Sequence, residues 1–168
     1  MATFEDDKIY AAIGRITTWS TELEYILEVM TGSLINDYQC YARVITTELS
    51  FNGVISLLLS LYRQRYGEDL QFNRLQELLN KANVAQEKRN SIVHSIWRSA
   101  GTPDKITRIK STAKAKRGFS TQIENWSFDQ FNDLVADFRT LINELNDLLD
   151  ELISTEKAFD NPVFPTLS

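Results

Sequence analysis

Between Phe131 and Leu152 a large apolar side chain recurs every three or four residues: Phe131, Leu134, Phe138, Leu141, Leu145, Leu148 and Leu152. A helical turn of about 3.6 residues brings those positions onto one face, whereas a strand would scatter them over both. A stripe of that length has to be covered, so the chain must supply other helices with apolar faces of their own. Ser127 reads as the N-cap of this helix, with acid early in its first turn, and the pattern carries the helix to about Lys157.

Four further helices follow from the same periodicity. The first is predicted over residues 5 to 31, with Ile9, Ile13, Ile16, Leu23, Leu27 and Met30 inward and Gly32 as the stop. A short second helix runs from about Asp37 to Thr46 with Tyr38, Tyr41, Ala42 and Ile45 inward. Ser50 caps a third that ends at Gly67. The fourth covers about 69 to 98 on a stripe of Leu75, Leu78, Ala82, Ala85, Arg89, Ile92 and Ile96, and is broken by Gly101 and Pro103. From there to about residue 126, Thr, Ile, Lys and Ser alternate around Gly118, the pattern of a short β-hairpin or an ordered loop. With only six Gly and three Pro, the expected fold class is all-α: a bundle of four to five helices with that hairpin or loop before the last. Residues 1–157 are expected to form a single helical domain carrying an insert at about 101–126, followed by a tail at 158–168. Trp19, Tyr25, Tyr38, Tyr41 and Tyr62 read as core and interface aromatics.

The start, MATFEDDKIY, is acidic and lacks the order of a signal peptide. The longest uncharged apolar run, residues 49–62, is shorter than the roughly 20 residues that span a bilayer, so no membrane segment is expected. Cys40 and His94 are each the only residue of their type, which leaves no intrachain disulfide and no zinc site built from His and Cys alone. A reducing cytoplasm, and no metal or cofactor, are the expectations. Net charge is −5, yet residues 105–117 hold six of the 18 Lys and Arg residues and none of the 23 acids. That basic cluster, Lys105, Arg108, Lys110, Lys114, Lys116 and Arg117, is a candidate RNA-backbone contact, with Trp97 or Trp126 for base stacking. Equally, it could face the acids of the last helix or keep a loop solvated.

The stretch EKRNSIVHSIWRSA, residues 87–100, carries the sharpest signal. Arg89 falls on the core stripe of the fourth helix, where an unpaired charge would cost several kcal/mol. On an ideal helix His94 follows it by about 7.5 Å of rise and about 140° of rotation, within reach of a shared ligand for a side chain as long as arginine. A guanidinium fork that fits a phosphate, with an imidazole that moves protons near neutral pH, is the minimum for cleaving RNA through attack of its own 2′-hydroxyl. Glu22 and Glu24 on the first helix are candidates to orient Arg89, although solvated glutamates are the commoner outcome.

The string Arg89-Asn90-x-x-x-His94 resembles the R-N-x-x-x-H signature of the HEPN superfamily, the higher eukaryotes and prokaryotes nucleotide-binding proteins. The segments RITTWSTELEYIL and ARVITTELSFNGVISLLL are also similar to uncharacterised bacterial members, and the likeness covers about residues 5–155. The resemblance implies an up-and-down helical bundle, a homodimer joining the Arg and His of two subunits in one cleft, and a metal-independent endoribonuclease activity. Such activity often serves a toxin–antitoxin or antiviral system, with an antitoxin-like protein partner. By the same resemblance Arg89 holds the scissile phosphate, His94 is acid or base, and Asn90 orients one of them. Two alternatives stand beside it: a non-catalytic helical module that holds a nucleotide or a protein through the Arg–His pair, and a plain structural bundle in which Glu22 or Glu24 neutralises Arg89.

Overall fold

The computed structural model describes residues 4–35, 41–99, 105–114 and 118–154. In chain order its elements are α1 (Phe4–Ile35), α2 (Tyr41–Thr47), α3 (Phe51–Tyr66), α4 (Leu70–Val93), β1 (Ile96–Ser99), β2 (Ile106–Lys114), β3 (Gly118–Trp126) and α5 (Phe128–Ser154). The protein is mostly helical, as the periodicity predicts, with a small antiparallel sheet ahead of the last helix. Two compact units are distinguished, Met1–Thr21 with Val84–Arg139 and Glu22–Asn83 with Thr140–Ser168. No described helix is long and apolar enough to cross a membrane.

In the unit built from residues 22–83 and 140–168, local caps set the ends of α3 and the start of α4. Ser50 accepts from the Gly53 amide at 3.2 Å, and α3 ends at Gly67, whose φ of 80° permits its N–H to reach Arg63 O at 2.9 Å. Asp69 accepts from the Phe72 amide at 2.8 Å and from the Tyr62 hydroxyl at 3.0 Å, so one carboxylate caps α4 and satisfies a buried phenol. Burial first, and then Asp69, push the Tyr62 ionisation far above its ordinary value. Leu27, Leu58, Tyr62, Leu75, Leu79 and Leu145 are among the fully enclosed core side chains.

Two expectations fail in this unit. Gly32 does not stop α1, which continues to Ile35. Leu34 extends the buried stripe and is 6% exposed, and burying it outweighs the roughly 1 kcal/mol that a mid-helix glycine costs. The Arg65 guanidinium then donates to Leu34 O at 2.6 Å, supplying the end of α1 from a distant helix. Tyr41 and Ile45 do not point inward: they are 73% and 42% exposed, and Ala42 is the buried residue of α2. Seven residues make too short a helix to bury a wide stripe. The predicted start of this helix at Asp37, its Tyr38, and the tail from residue 155 lie outside the described residues.

The unit of residues 1–21 and 84–139 has Ile9, Ile16, Ile92, Ile106, Phe131 and Phe138 at its core. Buried Ser20 donates to Gln86 Oε1 at 2.8 Å, a polar pair on two apolar stripes. The Ser127 amide donates to Gln130 Oε1 at 3.0 Å, the reciprocal half of a capping box at the start of α5. All seven stripe residues of α5 are buried.

The sheet has the order β1-β2-β3 with both pairs antiparallel. Its register aligns Trp97, Arg108 and Glu124 in one row, and Ile96, Ile109 and Ile123 in the next. Because neighbouring residues alternate faces, the two rows point to opposite sides. Trp97 and Trp126 pack against Phe131, with ring centroids 4.9 and 5.3 Å from it, and against each other at 5.1 Å. Ile96 and Ile123 are 55% and 71% exposed. The fourth helix therefore ends five residues before its predicted limit, and Ile96, expected on the core stripe, belongs to a strand instead.

Candidate functional site

The last turn of α4 carries Arg89, Asn90 and Ser91, and His94 occupies the turn that follows. A helix leaves its final four carbonyls without helical partners, and here no glycine supplies the usual cap. Side chains and turn amides do it instead. The His94 amide donates to Asn90 O and the Ser95 amide to Ile92 O, both at 3.1 Å. Ser95 Oγ donates to Ser91 O at 2.6 Å, and the Trp97 indole to Ile92 O at 2.9 Å. Arg108, on β2, donates from Nη2 to Ser91 O at 3.0 Å.

Arg89 is half-buried. Its Nη1 donates to Asn90 Oδ1 at 2.9 Å, and its Nε is buried without a hydrogen-bond partner among the described residues. Asn90 thus orients this guanidinium, and Glu22 and Glu24 are exposed on α1. His94 is exposed. The string thereby presents a cation oriented by a neutral amide and, after the last turn of the same helix, an imidazole open to solvent.

The basic cluster separates into parts. Lys105 is exposed ahead of β2. Arg108 faces inward, 7% exposed, and each of its guanidinium nitrogens is engaged: Nε with Ser95 Oγ at 3.0 Å, Nη1 with Glu124 at 3.0 Å, and Nη2 with both oxygens of Ser91. It lies over the Trp126 and Trp97 rings, 5.1 and 5.7 Å from their centroids. Lys110 Nζ donates to Ser91 Oγ at 2.8 Å. Lys114 closes β2 opposite Gly118, while Lys116 and Arg117 lie outside the described residues. The Trp126 indole, then Arg108 and Lys110, hold the Glu124 carboxyl below its ordinary range. Trp97 and Trp126, expected as stacking platforms, spend ring surface on Phe131 and Arg108.

A cleft of about 270 Å³ opens beside this network, lined by residues that include Lys88, Ser91, Arg108, Trp126 and Asp133. Lys88 pairs with Asp137 across 3.4 Å at its rim. On an ideal helix Lys88, Ser91 and Ile92 fall on the side of α4 turned away from the face between Arg89 and His94. The cleft therefore does not join those two side chains.

A scan of protein-family models, a search of curated proteins and a search of solved structures each returned no match to the chain. The site is read from its own residues.

What sequence reasoning missed here is the inward path of Arg108. The signal was available: on a strand Arg108 shares a face with Ile106, two residues away, and a buried Ile106 takes Arg108 in with it. The serines at 91 and 95, one helical turn apart, are the acceptors waiting for it.

Proposed function

We propose that this protein is a metal-independent endoribonuclease of the kind its Arg89-Asn90-x-x-x-His94 string resembles, the HEPN type. The observation that carries the reading is the environment of Arg89. Among the described residues its half-buried charge meets an amide and no carboxylate, so it remains available to an anion. An acid-neutralised Arg89 would have favoured a structural role.

In this reading Arg89 neutralises the non-bridging oxygens of the scissile phosphate, and Asn90 fixes the direction of the guanidinium. His94 acts on a proton. As base it takes the proton of the 2′-hydroxyl, whose oxygen bonds to phosphorus while the bond to the 5′-oxygen breaks; as acid it protonates that departing oxygen. One imidazole cannot sit on both sides of phosphorus at once. The reading therefore includes a homodimer, with a second Arg–His pair from the partner subunit, and an up-and-down arrangement of the helices. A toxin–antitoxin or antiviral setting, with an antitoxin-like protein as inhibitor, completes it.

The test is cleavage of total RNA and of a labelled mixed-sequence single-stranded RNA in the presence of EDTA. Wild type cleaves; Arg89→Ala and His94→Ala do not, while both retain the wild-type circular dichroism spectrum. Cleavage by His94→Ala at the wild-type rate refutes the proposal. RNA binding without cleavage in wild type, weakened by Arg89→Ala, supports instead the non-catalytic nucleotide- or protein-binding module.

A further inference from the structure

We propose that Arg108 is a positioning residue for His94: it clamps the terminal turn of α4, and so fixes where the imidazole sits, without touching RNA. The inference rests on the endoribonuclease reading for its kinetic consequence, though the clamp itself has an independent readout.

The clamp is built from three elements. Arg108 comes from β2, its counter-charge Glu124 from the paired residue of β3, and its acceptors Ser91 and Ser95 from the end of α4 and the turn beyond. His94 lies between those two serines, and its own amide closes the same turn on Asn90 O at 3.1 Å. With Ser91 held on one side of His94 and Ser95 on the other by a single planar guanidinium, the backbone of the histidine has little room to shift. The guanidinium is itself fixed, since it is enclosed by two indole rings and anchored by a carboxylate.

The geometry explains why the residue must be an arginine. Ser95 Oγ, Glu124 and Ser91 are engaged by three different nitrogens of one rigid fork. A lysine ammonium offers one nitrogen and cannot reach all three acceptors together. Four of the five N–H groups of Arg108 are already engaged within the protein, and its side chain is almost wholly buried, which argues against a phosphate contact.

The experiment compares Arg108→Lys with Lys105→Ala. For Arg108→Lys, kcat on the mixed-sequence single-stranded RNA falls by roughly 10²-fold, the loss expected when a reacting group is displaced by about 1 Å. KM and the salt dependence of RNA binding stay as in wild type. A residue that neutralised a phosphate would instead reduce the slope of log affinity against log salt by about 0.7. The second readout needs no activity. His94 is the only histidine, so its ring gives one uncrowded set of NMR signals. Arg108→Lys shifts and broadens them; Lys105→Ala leaves them in place. Should Arg108→Lys fail to fold, Ser95→Ala removes one arm of the clamp and is read in the same way.

Unchanged His94 signals in both clamp variants overturn the proposal, as does a reduced salt slope with kcat intact. If wild type cleaves no RNA the enzymatic reading falls, and the NMR comparison still decides whether Arg108 positions His94.

Discussion

Replacing Glu124 should cost the fold more than replacing Arg108, although Arg108 is by far the more buried of the two. Their side chains are 8% and 45% exposed and meet at 3.0 Å. Arg108→Met removes a desolvated charge and puts an unbranched apolar side chain between two indole rings. It orphans nothing inside: Ser91 O keeps the Ser95 hydroxyl, and Ser91 Oγ keeps Lys110. The carboxylate left behind reaches water and still accepts from the Trp126 indole at 3.2 Å. Lost hydrogen bonds and relieved desolvation then nearly cancel, and the expected change is within about 1 kcal/mol. Glu124→Gln does the opposite, leaving a buried guanidinium without its counter-charge. Breaking a fully buried pair in this way costs about 3–5 kcal/mol, and the exposure of Glu124 reduces that to about 1–2 kcal/mol.

Urea unfolding at pH 7 measures both, and the double variant should be no less stable than Arg108→Met alone. The pH dependence adds a check of sign. Glu124 has a depressed carboxyl pKa in the folded protein, so its contribution is complete above the ordinary carboxylate range near 4.5 and is lost as pH falls through the folded value. The gap between wild type and Glu124→Gln should therefore be constant at neutral pH and close in acid. An Arg108→Met variant less stable than Glu124→Gln, or a gap that does not narrow at all as pH falls below the ordinary carboxylate range, would refute this account of the clamp.

Three further outcomes are expected. His94→Ala should reduce RNA cleavage by about 10²–10⁴-fold, the usual worth of a general acid or base, and leave the melting temperature almost unchanged because the ring is exposed. Phe138→Ala, at a fully enclosed position of α5, should destabilise the protein by about 3–5 kcal/mol in urea unfolding. Ser50→Ala removes the acceptor for the Gly53 amide and should lower stability by about 1 kcal/mol, seen as a reduced urea midpoint with an unchanged slope.

The helices were legible wherever burial and capping are local properties of the chain. The stripe from Phe131 to Leu152 is fully buried, and Ser50 and Gly67 bound α3 as their chemistry predicts. Arg89 was recognisable as a charge in an apolar stripe that needed either an acid or an opening. Its actual partner was the adjacent residue in the sequence, Asn90.

What the sequence by itself determined is which face of each long helix is apolar, because a helical face depends only on spacing. Tertiary structure decided where two of those helices end and which cations are free. The end of α1 is completed by Arg65 and the end of α4 by Arg108, residues 31 and 17 positions from the carbonyls they reach. A terminal carbonyl accepts from any donor that the fold brings near, so sequence spacing could not locate these caps. The same distant pairing turned Arg108 from an apparent RNA contact into an internal support, and left His94 exposed in the turn it supports.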